Sequence, residues 1–525
     1  LMECIQKINI PSNICEFVDR MLKCQKSELI MNRETIGTIK LTRGIIQGDS
    51  MSPILFVIAM EPLSRKLNSD HPMVEANVDG VLARNHLIFI DDIKLMARNQ
   101  EDLVKLSEDT QRCLQIMGLK INANKSATNV DDDRVCGKLL NDQNGYRYLG
   151  LWEDAKSHLM EENKEKVKEK LLERVEMLCT QHLSARNFFH AINEFAISTI
   201  NYYVGILNYN MLELVDLDGA VRRILLKNNI IRNASNTERL YLPRSEMGRG
   251  LTNISDRSEI MLTKLYEHLG TTEEREEILK NEKNKTSLLG LINEHIRAKY
   301  NIGQEVEVDE KKLKQLHRTS KLDRILEKSM HSRLFNTEEN TVNIKESSNW
   351  LLHGYLTPQE EGSLCKIQDR NVFFNNAKCK HCQSANQTVD HLATKCGKLL
   401  EHEYKHRHDE VAKAVHHHIC YEYGLTKKCR KNYTVQPVIT NERVRIKFDQ
   451  PITTDTRVAH NRPDILVHDL RRKVATIIEI GITCGPLLAN VETTKARKYE
   501  HLAGEIRGMF PGTTVNMIPI VMSWD

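Results

Sequence analysis

Three groups of residues in this 525-residue sequence have types and spacings that could do chemistry. The first is Asp91-Asp92, which follows the apolar run Leu87–Ile90. Two-metal nucleotidyl transfer needs carboxylates held so that two ions can bridge a triphosphate and an attacking hydroxyl. A tight apolar hairpin with acids at its tip is a form such a site takes, although the same pair alone also describes an ordinary hairpin turn or a helix cap. The second group is Cys379-x-x-Cys382 followed, after eight residues, by His391-x-x-x-x-Cys396. Pairs of soft or borderline ligands at the two ends of a loop are what a tetrahedral Zn2+ site requires. The third is Asp464, preceded by Arg462-Pro463, with Glu479 beyond fourteen intervening residues. Two strands turning at Asp469–Arg472 would bring these carboxylates to one face, where Mg2+ or Mn2+ could activate water against a phosphodiester.

The elements that must position these groups follow from the apolar pattern. The first 150 or so residues mix short apolar runs with turn signals and read as α/β, with the glycine-bounded loop Gly44–Pro53 entering an apolar helix at Ile54–Leu67. Glycines let a backbone approach a nucleotide closely, and a helix start offers free amides to phosphate or template. Helical periodicity takes over from Lys156 to about Tyr300, and Thr271–Asn343 is charged and poor in aromatics, as an exposed helical linker would be. Beyond the cysteine cluster come a helix at Tyr404–Tyr423, strands at Asp464–Val467 and Lys473–Ile480, a helix at Glu492–Met509 and a strand at Thr514–Met522. His402, His406, His408, His416–His418 and Cys420 spread around the circumference of the first of these helices, which argues against a second metal site.

The predicted class is therefore multidomain α/β plus α, since 525 residues exceed what one core supports. Hydrophobic residues at 40% and charged residues at 28% exclude a disordered chain. A net charge of +4, left from 75 basic and 71 acidic residues, means that any nucleic-acid contact must come from local basic grooves. Thirteen scattered cysteines with no signal peptide ahead of them point to a reducing, intracellular setting without disulfides. The longest apolar stretch, Ile54–Met60, is far short of the ~18 residues that span a bilayer, so no membrane partner is expected.

Four blocks, Gly44–Pro53, Phe89–Asp92, Gly118–Asn122 with Lys125, and Tyr146–Leu151, resemble in order and spacing the successive palm motifs of reverse transcriptases. Ala185-Arg186-Asn187, Ala191-Ile192-Asn193, Arg239–Arg244 and Gly248–Leu251 extend the resemblance to non-LTR retrotransposon enzymes of the group carrying a zinc knuckle and a C-terminal restriction-like endonuclease. That resemblance implies a partial right-hand palm over residues 1–155, a thumb over 156–270, a helical linker over 271–370, a CCHC zinc knuckle over 371–400 and a restriction-like α/β endonuclease over 401–525. It makes Asp91 a metal ligand with Asp92 beside it, and it assigns nucleotide and template contact to Gln47 and Gly48. Lys125 would lie near the triphosphate, and Tyr148, Leu149 and Gly150 would form the primer grip. Basic residues of the thumb blocks would suit a primer-template backbone, or would pack the thumb.

For the nuclease the resemblance adds Asp455 to Asp464 and Glu479. The group usually has a lysine two residues after the glutamate; here Gly481 stands in that place, and Lys495, Lys498 and Tyr499 become candidates to replace it. Arg407 and His408 fall where the nuclease domain begins, with no role assigned. The aspartate of the first palm motif would precede Leu1, so the expectation is an N-terminally truncated chain that does not polymerise unaided. The implied function is an RNA-directed DNA polymerase and DNA endonuclease fragment acting in target-primed reverse transcription, in nucleus and cytoplasm. Its partners would be the element's template RNA, target DNA and deoxynucleoside triphosphates. The alternatives are a catalytically dead nucleic-acid-binding relic, or a nuclease with a non-catalytic polymerase remnant.

Overall fold

The computed structural model describes all residues except 43, 76–82, 141–144, 336–341, 374–376 and 427–433. The chain forms two compact units: Leu1–Glu169 with Tyr202–Met211 and Met261–Gln304, and Lys170–Asn201 with Leu212–Ile260 and Glu305–Asp525. Among the described residues no helix is long and apolar enough to cross a membrane.

In the first unit, helix α1 (Ser52–Asp70) begins where Asp49 folds back on the chain: its carboxylate accepts the Met51 N–H at 2.8 Å and its carbonyl the Ser52 N–H at 3.2 Å. Pro53 fills a first-turn position, where a missing N–H costs nothing. Strands β1 (His86–Phe89) and β2 (Asp92–Leu95) pair antiparallel, with Phe89 opposite Asp92, so Ile90 and Asp91 make the turn. Met60, Leu63 and Leu67 of α1 pack with Leu106 and Leu114 of α2 (Gln100–Ile116), and Ile88, Ile93 and Leu95 of the hairpin join them. A second hairpin, β3 (Tyr146–Tyr148) and β4 (Leu151–Glu153), turns through Leu149 and Gly150, both left-handed at φ 46° and 85°, the conformation that matches strand twist in a two-residue turn.

The second unit holds helices α3 (Met211–Lys227), α4 (Pro358–Gln368), α5 (Val389–Thr394) and α6 (Lys405–Glu422), followed by a five-stranded sheet. Its strands, β5 (Val438–Thr440), β6 (Val444–Phe448), β7 (Ile465–Asp469), β8 (Val474–Thr483) and β9 (Thr514–Ser523), lie in sequence order, all antiparallel except the parallel pair β8–β9. The β8–β9 crossover carries α7 (Leu488–Lys498) and α8 (Glu500–Met509). One core gathers Leu466, Ala475 and Ile477 with Leu502, Ala503 and Ile506 of α8; the other gathers Ile465, Val467 and Ile478 with Cys420 of α6. Strand β8 is buried along nearly its whole length, which is why it reads as a continuous apolar run.

Two features differ from the sequence expectation. The helix expected over Glu492–Met509 is two helices that part at Tyr499, whose ring is buried and whose hydroxyl donates to the Arg462 carbonyl at 2.9 Å. The charged helix Glu310–Leu326 turns Leu313, His317, Lys321 and Ile325 inward, one residue per turn, and satisfies the polar two with Glu259 and Asp256.

Candidate functional site

Asp91 and Asp92 stand exposed at the tip of the β1–β2 hairpin. Ile90 before them holds φ at +57°, a left-handed conformation that a β-branched residue adopts only under strain. The base of the hairpin is fixed to α1. Asn85 donates to the carbonyls of Leu67 and His71 at 2.7 and 3.2 Å, so its Oδ1 accepts from His86 Nδ1 at 2.7 Å, leaving His86 Nε2 to accept from the Ser64 hydroxyl at 2.8 Å. Burial, with Arg84 nearby, holds His86 below its ordinary pKa, as this neutral tautomer requires.

Lys94 of β2 pairs with Glu153 of β4 and lies 5.2 Å from the centre of the Tyr148 ring, which joins the two hairpins. Burial and then the Asp92 carboxylate raise the pKa of Tyr146 and Tyr148. Tyr146 donates to the Lys125 carbonyl at 2.8 Å, and Tyr202 to the Leu149 carbonyl at 2.6 Å. Asp92, Tyr148, Leu149, Gly150 and the Lys125 backbone are thus brought together. Gln47 and Gly48 lie exposed in the loop before α1, and Gly48, at φ +95°, has open space where a Cβ would stand. Neither makes a hydrogen bond or ion pair with Asp91 or Asp92 among the described residues. The aspartate pair also belongs to no group of three or more metal-ligating side chains among the described residues.

The arginines of Arg239–Arg244 and Gly248–Leu251 turn inward, whereas Arg186 stays exposed. Arg239 reaches Asp369 at 3.0 Å and the Met247 carbonyl at 2.7 Å; Arg249 reaches Glu361 at 2.9 Å and the Ile230 carbonyl at 2.7 Å; Arg244 joins the same glutamate. Buried guanidinium groups persist when paired and hydrogen-bonded in this way, and all three belong to the packing of the second unit.

Cys379, Cys382, His391 and Cys396 place four ligand atoms within 4.8 Å of one another. The Cys379 and Cys396 sulfurs are 3.8 Å apart, and Cys382 Sγ is 3.3 Å from His391 Nε2. A tetrahedron with metal–sulfur arms of ~2.3 Å has edges of about 3.8 Å, so the donor set fits a four-coordinate ion. Hydrogen bonds from Ser384 hold the Cys382 thiol down at about 5, making it a thiolate at neutral pH. The turn is built by Cys379 N–H donating to the Ala385 carbonyl and by Thr388 capping α5, which carries His391.

In the sheet, Ile465 pairs with Ile478, so the next antiparallel step sets Asp464 opposite Glu479 on one face, and the Ile480 N–H donates to Asp464 Oδ2 at 2.7 Å. Both Lys495 and Lys498 donate to Glu479 Oε1 at 2.7 Å. Gly481 explains how they arrive: a Cβ there would lie 3.2 Å from Val491 and 3.3 Å from Val521, so the bare backbone lets α7 settle onto β8. Val491, Lys495 and Lys498 then share one helical face. Asp455 lies exposed in the loop before β7, with no hydrogen bond or ion pair among the described residues, and is not drawn to the pair.

Sequence reasoning missed His408, whose Nε2 is 3.2 Å from Asp464 Oδ2. This contact raises the histidine to about 9, and Asp464 is held below the usual carboxylate range because the bonds from His408 and Ile480 outweigh its burial. His408 is one of six histidines between 402 and 418, and nothing in the spacing singles it out. Arg407 beside it donates to the Ala393 carbonyl of α5. Glu479 Oε2 is buried with no hydrogen-bond partner among the described residues. An orphaned carboxylate oxygen is costly, and a hard cation shared with Asp464 would satisfy it, so the residues present fit such an ion.

The family described as reverse transcriptase (RNA-dependent DNA polymerase) matches residues 1–152. The chain is 41% identical over 86 residues to the Retrovirus-related Pol polyprotein from type-2 retrotransposable element R2DM of Drosophila melanogaster, covering 16% of this chain and 8% of that protein. It is 23% identical over 128 residues to the Retrovirus-related Pol polyprotein from type-1 retrotransposable element R2 of Popillia japonica, covering 24% and 21%. The matched segments thus span less than a quarter of either relative.

Proposed function

We propose, from the premise that residues 1–152 are a reverse transcriptase domain similar to that of R2-type elements, that this chain joins RNA-directed DNA polymerase to a DNA endonuclease for target-primed reverse transcription. In this reading the nuclease nicks target DNA, and the freed 3′ hydroxyl primes copying of the element's RNA. One observation carries the nuclease half: two carboxylates, Asp464 and Glu479, meet two ammonium groups and an imidazolium where β7 begins beside the middle of β8.

Asp464 and Glu479 would hold Mg2+ or Mn2+, which supplies Lewis-acid polarisation of the phosphodiester and an acidified water. Lys495 offers positive charge to the phosphate as its negative charge grows, and Lys498, kept protonated because its contact with Glu479 outweighs the pull of burial, holds the Glu479 carboxylate. His408, cationic at neutral pH, holds the Asp464 carboxylate in place. In the palm, Asp91 and Asp92 would hold the polymerase ions, Gln47 and Gly48 would meet deoxynucleoside triphosphate and template, Lys125 would face the triphosphate, and Tyr148–Gly150 would grip the primer. The Cys379, Cys382, His391 and Cys396 set would hold Zn2+ as a structural ion.

Nicking of supercoiled plasmid by the full chain in Mg2+ tests the nuclease. Activity should disappear in Asp464→Ala, and nicking that persists unchanged in that variant rejects the assignment. The second reading is a nuclease whose polymerase portion binds nucleic acid without extending it. Primer extension on an RNA template separates the two: extension lost in Asp91→Asn supports the first, and nicking with no extension supports the second.

A further inference from the structure

The helices Ile254–Leu269 and Glu310–Leu326 bring a mixed set of ligating side chains together inside the second unit. Asp256 and Glu259, at i and i+3, share one face of the first helix; His317 and Lys321, at i and i+4, share one face of the second. Asp256, Glu259 and His317 each offer one donor atom, and the three atoms lie within 4.8 Å of one another. Glu259 is 0% exposed and His317 is buried with it, His317 Nε2 standing 2.8 Å from Glu259 Oε2. Lys321 donates to Asp256 Oδ2.

Two features separate this set from a cluster of surface acids. One is its chemistry. Two carboxylates and an imidazole are donors that Zn2+ accepts, with arms of ~2.0–2.2 Å. Neighbouring donors on such arms lie about 3.0–3.4 Å apart in octahedral or tetrahedral arrangement, so Glu259 and His317 already stand close to the spacing of adjacent ligands. The other feature is burial. A carboxylate withdrawn from water must be compensated by charge and hydrogen bonds. Lys321 brings one positive charge to two carboxylates; a divalent ion brings two and takes the imidazole as a neutral ligand. The ammonium of Lys321 is then the competitor for Asp256, carried on a flexible stem, and the Tyr241 ring, 6.0 Å away, is an aromatic face to which it can withdraw.

We propose that Asp256, Glu259 and His317 form a Zn2+ site, in which the ion displaces the Lys321 ammonium and clamps together two helices whose ligands lie up to 61 residues apart in sequence. The site shares no ligand with the cysteine cluster, with Asp91 and Asp92 or with the Asp464–Glu479 pair, and it does not rest on the function proposed for them.

Metal content of the full chain, measured after equilibration with buffered free Zn2+, tests it. Glu259→Gln/His317→Gln, which preserves side-chain size and hydrogen-bonding capacity, should bind one equivalent less than the parent. With Co2+ in place of Zn2+, the same variant should keep the thiolate-to-metal charge-transfer band of the cysteine cluster and lose one equivalent of d–d absorption. Equal metal content in the parent and in a variant that melts like it overturns the proposal and leaves the four side chains as an ion-pair network. Lys321→Met keeps all three ligands and removes the competitor, so Zn2+ affinity at this site, read against a chromophoric chelator, should rise about tenfold or more. Unchanged or weaker affinity in Lys321→Met also overturns it. Cys379→Ser/Cys382→Ser should abolish the charge-transfer band while the equivalent held by Glu259 and His317 remains, so the two metal assignments fail separately.

Discussion

Glu479 holds two ammonium groups on one oxygen, and their surroundings distinguish them. The charge of Lys495 is felt at both Asp464 and His408, whereas Lys498 is turned toward the Tyr499 ring, 4.8 Å from its centre. Lys495 therefore faces the space between the carboxylates, and Lys498 positions Glu479 from behind. Lys495→Ala should lower the single-turnover nicking rate by about 10²–10³, the loss typical of one charge-stabilising donor, and Lys498→Ala should lower it less. Equal losses, or the reverse order, would reject this division. His416 supplies a pH effect apart from that site. It is buried against Phe448, ring centres 5.1 Å apart, and burial, with His417 adding to it, pushes it down to about 4. Between its unfolded value near 6.5 and about 4, the unfolded chain binds a proton that the folded chain does not. Stability is then complete above about 6.5 and is lost as pH falls through that window. The melting temperature should fall on that acid limb in the parent, and less steeply in His416→Phe; equal slopes would place the acid sensitivity elsewhere.

At the level of elements, the approach of α7 to β8 depends on a missing Cβ. In Gly481→Ala the new methyl must push Val491 and Val521, both β-branched and held in a packed sheet. A stability loss of about 1–3 kcal/mol is expected from such overpacking, with a larger proportional loss of nicking because Lys495 and Lys498 ride on the displaced helix. Activity that falls only as far as stability does would show that the helix finds its place without this contact. The same elements show what the sequence could reveal. β7 and β8 were readable because burial on both faces leaves long apolar runs, β9 from its apolar run although only Val515 is fully buried, and α6 from its length. β5 and β6 were not, being three and five residues long with Arg445 and Lys447 alternating into solvent. The break at Tyr499 was hidden because no glycine or proline marks it, and the residue that ends α7 is an aromatic drawn into the core. The carboxylate pair was legible from spacing and its lysines only through the family resemblance; His408 was not legible, because its partner is 56 residues away and only the fold joins them.

Across the whole chain, composition is silent and connectivity carries the information, since each compact unit is assembled from stretches far apart in sequence. Within the second unit the cysteine cluster is tied to the five-stranded sheet through the helix that carries His391. On one side Asp390 accepts from Arg370 at 3.1 Å, from Arg333 at 2.9 Å and from the Trp524 indole just beyond β9 at 2.9 Å. On the other, Arg407 donates to the Ala393 carbonyl from the turn of α6 that also presents His408 to Asp464. Metal ligation and folding are coupled in clusters of this kind, so loss of the ion should loosen α5 and both of its attachments. Full chain stripped with a zinc-selective chelator and resupplied with Mg2+ should nick more slowly, and amide exchange over Thr514–Ser523 should quicken, with Zn2+ restoring both. Asp390→Asn, which keeps all four ligands, should reproduce the faster exchange with the ion still bound. If metal content falls to zero while nicking and exchange stay unchanged, the cluster is an independent module and the sheet holds its carboxylates without it.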